Sequence, residues 1–300
     1  MILLVCLLSA LFFLFFFCFF LSPKKQPRDV VTTILGSTSG VIAHRGENVD
    51  APENTLAAFR LARKNGAVAV EIDVSFTKDG HAVLMHDDTV DRTTDGHGRL
   101  DELTLDELKT LNAAHGHRLE SEFDGVRVPT LDEAIEECLH LGLKIIFDVK
   151  GNAAQSVPVL VAAYKKYDLY GKAFVASFNS YVLYKLRRAD PEILIGLTSR
   201  QWYWSYKADD CLVARHNNAV VTRLLCLGDI MRVWCINTWL LQFLGSSLYV
   251  IVRSQIYPEL VKHWKIRGVH LVAWTVNDPL EKRYFEEVLN IFFMTDSTRN

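Results

Sequence analysis

From about Gly40 onward, short apolar runs alternate with longer stretches whose apolar positions recur at helical spacing. This is the pattern of an α/β chain built on a parallel sheet. It predicts strands at Val41–Arg45, Val68–Phe76, Ala82–His86, Leu143–Lys150, Ala173–Phe178, Ile193–Thr198, Leu248–Arg253, Val269–Val276 and Ile291–Thr295. Helices are predicted between them at Thr55–Asn65, Leu131–Leu141, Ala153–Tyr167, Ser180–Ala189, Pro258–Ile266 and Pro279–Leu289. Thr130, with Glu133 three residues later, carries the start signal of a capping box. Nine strands are one more than a closed (β/α)₈ barrel needs. The pair joined by Thr77-Lys78-Asp79-Gly80 has a turn too short for a βαβ crossover, so one of its two members lies outside the barrel. Without a linker or repeat after Gly40, residues 40–300 are expected to form one domain of this TIM-barrel type.

Three segments depart from plain alternation. Asp87 to Val128 is long, polar and turn-rich, and reads as an insertion after the third predicted strand. Ala219 to Val252 is unusually apolar, with Arg223, Asp229 and Arg232 its only charges, and its stretch 233–252 is uncharged. A buried helix plus strand, a segment dipping into a membrane beside the mouth of the barrel, and a second span all fit it. Ile2 to Leu21 is long enough to cross a hydrocarbon core of about 30 Å, and bulky Phe19, Phe20 and Leu21 stand where a signal peptidase wants small residues. Residues 1–22 are therefore expected to be an uncleaved transmembrane helix, followed by a linker at 23–39, and the protein to be membrane-anchored. Lys24, Lys25 and Arg28 behind the span would hold the body in the cytosol by the positive-inside rule.

Composition narrows the function classes. Net charge is −2, from 33 basic and 35 acidic residues, which gives no electrostatic footprint for nucleic acid. At 23% charged and 50% hydrophobic the chain is not a disordered one. Its six cysteines show no CxxC spacing, which argues against a zinc cage or a redox pair.

In a parallel barrel the loops after the strands' carboxyl ends build the site. Here four apolar strands each end on titratable groups: His44-Arg45, Glu71-Ile72-Asp73, His86-Asp87-Asp88 and Asp148-Val149-Lys150. The alternation sends Glu71 and Asp73 to one face of their strand and Ile72 to the other. Two such carboxylates do not both ionise unless a cation sits by them, and with Asp148 they make an all-oxygen set suited to a hard ion such as Mg²⁺ or Ca²⁺. Salt bridges to Lys150 or Arg45 are the alternative for any one pair. His44 and His86 suit an acid and a base flanking a reacting phosphorus, with Arg45 and Lys150 offering positive charge to an anionic substrate. Together these groups point to phosphoryl chemistry.

The same residues carry a family likeness. His44-Arg45-Gly46, Ala51-Pro52-Glu53-Asn54-Thr55, Glu71-Ile72-Asp73-Val74, Thr77-Lys78-Asp79-Gly80, Met85-His86-Asp87, Phe147-Asp148-Val149-Lys150 and Trp274-Thr275-Val276-Asn277 follow in order and resemble the glycerophosphodiester phosphodiesterases. The resemblance, which runs from about Val41 to Asp296, implies a metal-dependent TIM barrel that cleaves glycerophosphodiesters to glycerol phosphate and an alcohol. It implies His44 and His86 as the acid/base pair and Glu71, Asp73 and Asp148 as metal ligands. It counts Arg45, Glu53, Asn54, Lys150 and Trp274 as substrate-binding. Most of that family has Glu where this chain has Asp148, one methylene shorter in reach. The apolar N-terminus and insert look like the animal membrane-anchored branch. That likeness implies Mg²⁺, glycerophosphoinositol or lysophospholipid-type substrates such as glycerophospho-N-acylethanolamines, a plasma-membrane or endomembrane setting with contact to membrane lipid, and an extracytosolic catalytic domain. A phospholipase C-like or D-like lipid phosphodiesterase and a catalytically silent membrane scaffold are the competing readings.

Overall fold

The computed structural model describes residues 23, 30–36 and 39–299. Nine strands alternate with helices: α1 (Val30–Leu35), β1 (Gly40–His44), α2 (Leu56–Lys64), β2 (Ala69–Phe76), β3 (Ala82–Leu84), α3 (Leu105–Thr110), α4 (Leu131–His140) and β4 (Lys144–Val149) come first. Then follow α5 (Ala153–Tyr167), β5 (Ala173–Ser177), α6 (Ser180–Ala189), β6 (Ile195–Ser199), α7 (Ala219–Cys235), α8 (Leu241–Leu244), β7 (Leu248–Val252), α9 (Pro258–Ile266), β8 (His270–Trp274), α10 (Pro279–Arg283) and β9 (Phe292–Thr295). The sheet runs β1-β9-β8-β7-β6-β5-β4-β2-β3, and β1 also pairs with β2, so eight parallel strands close into a barrel. The short β3 pairs antiparallel with β2 and is the member left outside.

Strand alternation divides the core into two layers. Ile42, Ala69, Ile146, Leu248, Val250, Val272, Phe292 and Met294 point inward and pack with Val31, Ile34 and Leu35 of α1. Helix α1 thus sits against the strands' amino ends, in the stretch expected to be a linker. The intervening residues, such as Val70, Ile72, Ile145, Phe147, Tyr249 and Phe293, point outward under the ring of helices. Glu71, Asp73 and Asp148 fall on the inward face, one and two turns of the pleat above the apolar layer. α4 starts as predicted: Thr130 Oγ1 accepts from the Glu133 amide while the Glu133 side chain returns to the Thr130 amide.

The insertion between β3 and α4 folds around its own small core of Val83, Met85, Val90, Leu100, Leu108 and Val128. It contains α3, which opens on a Thr104–Glu107 capping box.

The expectation of a membrane protein is corrected. Among the described residues no helix is long and apolar enough to cross a membrane. Residues 1–22, expected to be an anchor, and the basic cluster behind them lie outside the described residues. The apolar segment 219–252 is neither a span nor one continuous helix. α7 gives way to a π-turn at Ile236–Leu240, then to α8 and to barrel strand β7, whose residues are all buried. Its uncharged run reflects a strand enclosed on both sides, as parallel strands are. The membrane-anchored localisation and the transmembrane architecture are withdrawn on these findings.

Candidate active site

Register alone brings the predicted acids together. Asp73 and Asp148 are paired across β2 and β4, and His44 and Glu71 across β1 and β2. Neighbouring strands stand about 4.8 Å apart, so these inward side chains meet at the carboxyl mouth of the barrel. An oxygen from each of Glu71, Asp73 and Asp148 lies within 4.8 Å of the others. The shorter Asp148 thus reaches the group without the extra methylene.

His44, Arg45, Glu71, Asp73, His86, Asp148, Lys150 and Trp274 all line one cavity of about 190 Å³. Glu53 and Asn54 do not line it; they stand behind it. Asn54 Nδ2 donates to Asp73 Oδ2 at 2.8 Å while Asn54 Oδ1 accepts from the Asp73 amide at 3.1 Å. Glu53 Oε1 accepts from Arg45 Nη1 at 3.0 Å. The loop that carries these groups bends sharply: Arg45 and Asn54 both have positive φ, and Gly46 at φ 86° lies so close to α2 that a Cβ there would stand 2.6 Å from Ala58 Cβ.

The charges of the cavity are partly paired. Lys150 Nζ lies 3.1 Å from Asp73 Oδ1 and 2.6 Å from Asp148 Oδ2, and Arg45 Nε lies 3.2 Å from Asp73 Oδ2. Burial opposes the ionised form of Asp73, but Lys150 and Arg45 outweigh it and hold its carboxyl well below the usual range. Burial likewise opposes the Lys150 ammonium, and Asp148 and Asp73 hold it charged. Glu71 goes the other way: burial, then the negative charges of Asp73 and Asp148, push its carboxyl well above the ordinary value. Its one strong donor is the Arg45 amide, 3.0 Å from Oε2. Asp148 Oδ1 is buried without a hydrogen-bond partner. Three carboxylates against two cations, one of them energetically resisting ionisation and another with an orphan oxygen, fit a hard divalent cation. The salt bridges are therefore present, and they leave the acidic cluster undercompensated.

Each histidine has its Nδ1 on a carboxylate. His44 Nδ1 is 2.7 Å from Asp296 Oδ1, and His86 Nδ1 is 2.6 Å from Asp87 Oδ1. Burial disfavours ionisation of Asp296, yet hydrogen bonds from His44, Asn48 and Asn277 win and hold it below the carboxylate range. Asp87 is brought down to about 2, against burial, by hydrogen bonds from Arg92 and His86. Ionised carboxylates only accept, so both Nδ1 atoms donate and both Nε2 atoms are left free for chemistry. Burial, helped by Lys150 and Arg45, lowers the His86 imidazole below its ordinary value.

Asp296, Asn277, Asp87 and Arg92 were not singled out as site residues from sequence. Asp296 follows an apolar strand, as the other site residues do, so the strand-end rule could have found it. Arg92 sits in a turn-rich insertion and carries no such signal.

Beside the small cavity opens a larger one of about 1130 Å³ that shares His86, Asp148, Lys150, Phe178 and Trp274. Tyr203 stacks on Phe178 at 4.3 Å between centroids, with the guanidinium groups of Arg200, Arg215 and Arg232 5.2 to 5.5 Å from the Tyr203 ring. The loop that carries Tyr203 is tied to α7 by Asp229, which accepts from the amides of Trp204 and Ser205 and from Ser205 Oγ. Met231, Trp239 and Trp204 also line this cavity and are exposed.

Comparison with known proteins gives a consistent result. The family model for the glycerophosphoryl diester phosphodiesterase family matches residues 44–299. The chain is 40% identical over 293 residues to glycerophosphodiester phosphodiesterase 1 of Mus musculus and of Homo sapiens, covering 97% of this chain and 88% of each relative. A glycerophosphodiester phosphodiesterase of Caldanaerobacter subterraneus is 34% identical over 240 residues, which is 79% of this chain and 85% of that one. Among solved structures, a phosphodiesterase of Oleispira antarctica in complex with its product sn-glycerol-3-phosphate superposes with a TM-score of 0.68 at 29% identity, covering 86% of this chain and 92% of that one.

Proposed function

This chain belongs to the glycerophosphoryl diester phosphodiesterase family and is a hydrolase of glycerophosphodiesters, and from that premise we propose how its site works and on what. His44 and His86 are the acid/base pair: one imidazole Nε2 takes the proton of the attacking hydroxyl, the other protonates the departing alkoxide. The attacker is a water or the neighbouring hydroxyl of the substrate's own glycerol. Arg45 and Lys150 meet the phosphate oxygens, and Trp274 walls the substrate. Glu71, Asp73 and Asp148 would hold a hard divalent cation, Mg²⁺ or Ca²⁺, whose chemistry is to neutralise charge on the phosphate and acidify a bound hydroxyl. The observation that carries this reading is the sharing of one cavity by both imidazoles and all three carboxylates.

The large adjoining cavity takes the leaving alcohol. Lys207 and Arg215 line it, and among the described residues neither is paired with a carboxylate. That favours a neutral polyol such as inositol over a cationic choline. A second reading, a lysophospholipid-type leaving group such as an N-acylethanolamine, draws support from the exposed apolar wall of Met231, Trp239 and Trp204.

The test is a panel of glycerophosphoinositol, glycerophosphocholine, glycerophospho-N-acylethanolamine, lysophosphatidylcholine and phosphatidylcholine, with and without chelator, scored by product. Released glycerol phosphate supports the proposal; diacylglycerol from a phospholipid would indicate phospholipase C-like cleavage, and lysophosphatidate D-like cleavage. His44→Ala and His86→Ala should each lower turnover at least about 10²-fold with an unchanged unfolding midpoint. Normal turnover in either variant removes that histidine from the mechanism.

A further inference from the structure

Arg92, from the insertion between β3 and α4, ties the end of that strand to the loop after β1. Arg92 Nε donates to Asp87 Oδ2 at 2.6 Å, while Nη1 and Nη2 donate to Glu53 Oε2 and Oε1, both at 2.8 Å. Asp87 spends its other oxygen on His86 Nδ1, and Glu53 Oε1 is shared with Arg45, whose Nε meets Asp73. A single guanidinium therefore bridges the end of β3 to the loop after β1. The chain of contacts runs His86, Asp87, Arg92, Glu53, Arg45, Asp73, and no other side chain among the described residues spans both halves in this way.

We infer that Arg92 is a positioning residue for the reaction, acting through Asp87 on His86 and through Glu53 on Arg45. The inference rests on the reading of His86 as a proton carrier. A carboxylate gripped on one oxygen by a planar guanidinium has one rotamer left, which aims its second oxygen at the imidazole. That contact fixes the tautomer and holds Nε2 toward the cavity. Without Arg92, Asp87 is free to turn to solvent, since about a third of its side chain is already exposed. Glu53 likewise loses two of its three donors, and Arg45 loses the partner that orients its fork.

The insertion itself does not depend on Arg92 for docking. Arg118 Nε donates to the Val49 carbonyl and its Nη2 pairs with Asp50, His117 Nε2 lies 3.3 Å from the Asn48 carbonyl, and the apolar cluster around Val90, Leu100 and Leu108 lies beneath. Arg92 variants should fold.

The experiment compares Arg92→Ala, Arg92→Lys, His86→Ala and the Arg92→Ala/His86→Ala double variant in steady-state turnover and thermal unfolding. Arg92→Ala is expected to lower kcat about 10- to 100-fold, with KM within about twofold and the unfolding midpoint unchanged. Millimolar guanidinium should restore part of that rate, and Arg92→Lys, which keeps charge without the fork, should fall between. In the His86→Ala background the Arg92→Ala change should cost clearly less than in wild type, because the branch through Asp87 has lost its target and only that through Glu53 remains. An Arg92→Ala enzyme with wild-type kcat overturns the inference while inactive His86→Ala leaves the function reading standing. So does a loss that guanidinium does not recover, or one that multiplies in full with His86→Ala. Wild-type turnover in His86→Ala defeats the reading of His86 and the inference with it.

Discussion

Replacing Lys150 with methionine separates a metal cradle from a self-contained set of ion pairs. The Lys150 ammonium sits between Asp73 Oδ1 and Asp148 Oδ2, and its side chain is 27% exposed where that of Asp73 is 1%. Removing one partner of a fully buried pair costs about 3–5 kcal/mol. Here water reaches the lysine, and Asp73 keeps Arg45 and Asn54, so the cost in chelator is about 2 kcal/mol. For a domain of this size that corresponds to a melting shift of about 4–8 °C. The variant retains three carboxylates against Arg45 alone, which raises the affinity for a divalent ion. At a hundredfold excess over Kd, an ion bound only by the folded state returns about 2.7 kcal/mol. The ion adds this to either protein, so both should melt higher in millimolar Mg²⁺ or Ca²⁺ than in chelator, and the gap between wild type and Lys150→Met should narrow to the extent that the variant binds more tightly, whatever happens to turnover. Midpoints that no cation raises in either protein would mean that the carboxylates are satisfied by their own cations and hold no ion. Equal stability in chelator would mean that Lys150 compensates nothing.

Two further predictions concern the scaffold of the site. Gly46→Ala places a Cβ 2.6 Å from Ala58 Cβ and 2.9 Å from the Ala58 carbonyl carbon at a positive φ, so it should cost about 3 kcal/mol in urea unfolding. Gly66→Ala is the control, at φ 91° with nothing within 4 Å, and should cost only about 1 kcal/mol; equal costs would sink the argument from close approach. Asp87 is held at about 2 in the folded protein, below its unfolded value, so its contribution is present above about pH 4 and fades as pH falls toward 2. Lowering the carboxyl to about 2 would be worth about 2 kcal/mol undiluted, and about 1 kcal/mol after screening at this partly exposed site. The stability difference between wild type and Asp87→Asn should hold steady at neutral pH and shrink between pH 4 and 2; a difference independent of pH would contradict the assignment.

The acids of the site were readable from sequence because a strand has a fixed period. Once Val70, Ile72 and Val74 face the helices, Glu71 and Asp73 have nowhere to point but inward, and the register with β4 adds Asp148. The strand-end histidines followed the same logic. Helix ends are legible where a cap is written into the chain, as at Thr130, and Thr104 carries the same signal inside the insertion, where the surrounding turn-rich sequence masks it. The apolar segment 219–252 was legible only in part: of the three readings that fit it, helix followed by buried strand is the one found, but α7 is not buried. Hydropathy cannot distinguish a strand enclosed by helices, or a helix such as α7 that leaves Leu224, Leu227, Ile230 and Trp234 exposed, from a stretch built for lipid. The role of Glu53 was also out of reach, since its partners Arg45 and Arg92 come from different loops and the second lies 39 residues away.

This division has a physical basis that bears on how the site works. Groups set by β-register, the three carboxylates, are held by backbone hydrogen bonds on both sides of their strands and cannot shift without breaking the barrel. Groups set by loops, Arg45, Arg92 and the carboxylates behind the imidazoles, have no such ladder on either side, and their charged ends are held by other side chains. The acidic cradle is thus the rigid reference, and the proton-carrying and phosphate-binding groups are aligned to it through a ladder of charge-assisted bonds. Such a ladder is directional but only as stiff as its most exposed rung. Arg92, with nearly half its side chain in solvent, is that rung. Precision at His86 therefore depends on a surface residue, and a substitution that leaves the barrel, the cluster and the imidazole intact is expected to cost rate rather than stability.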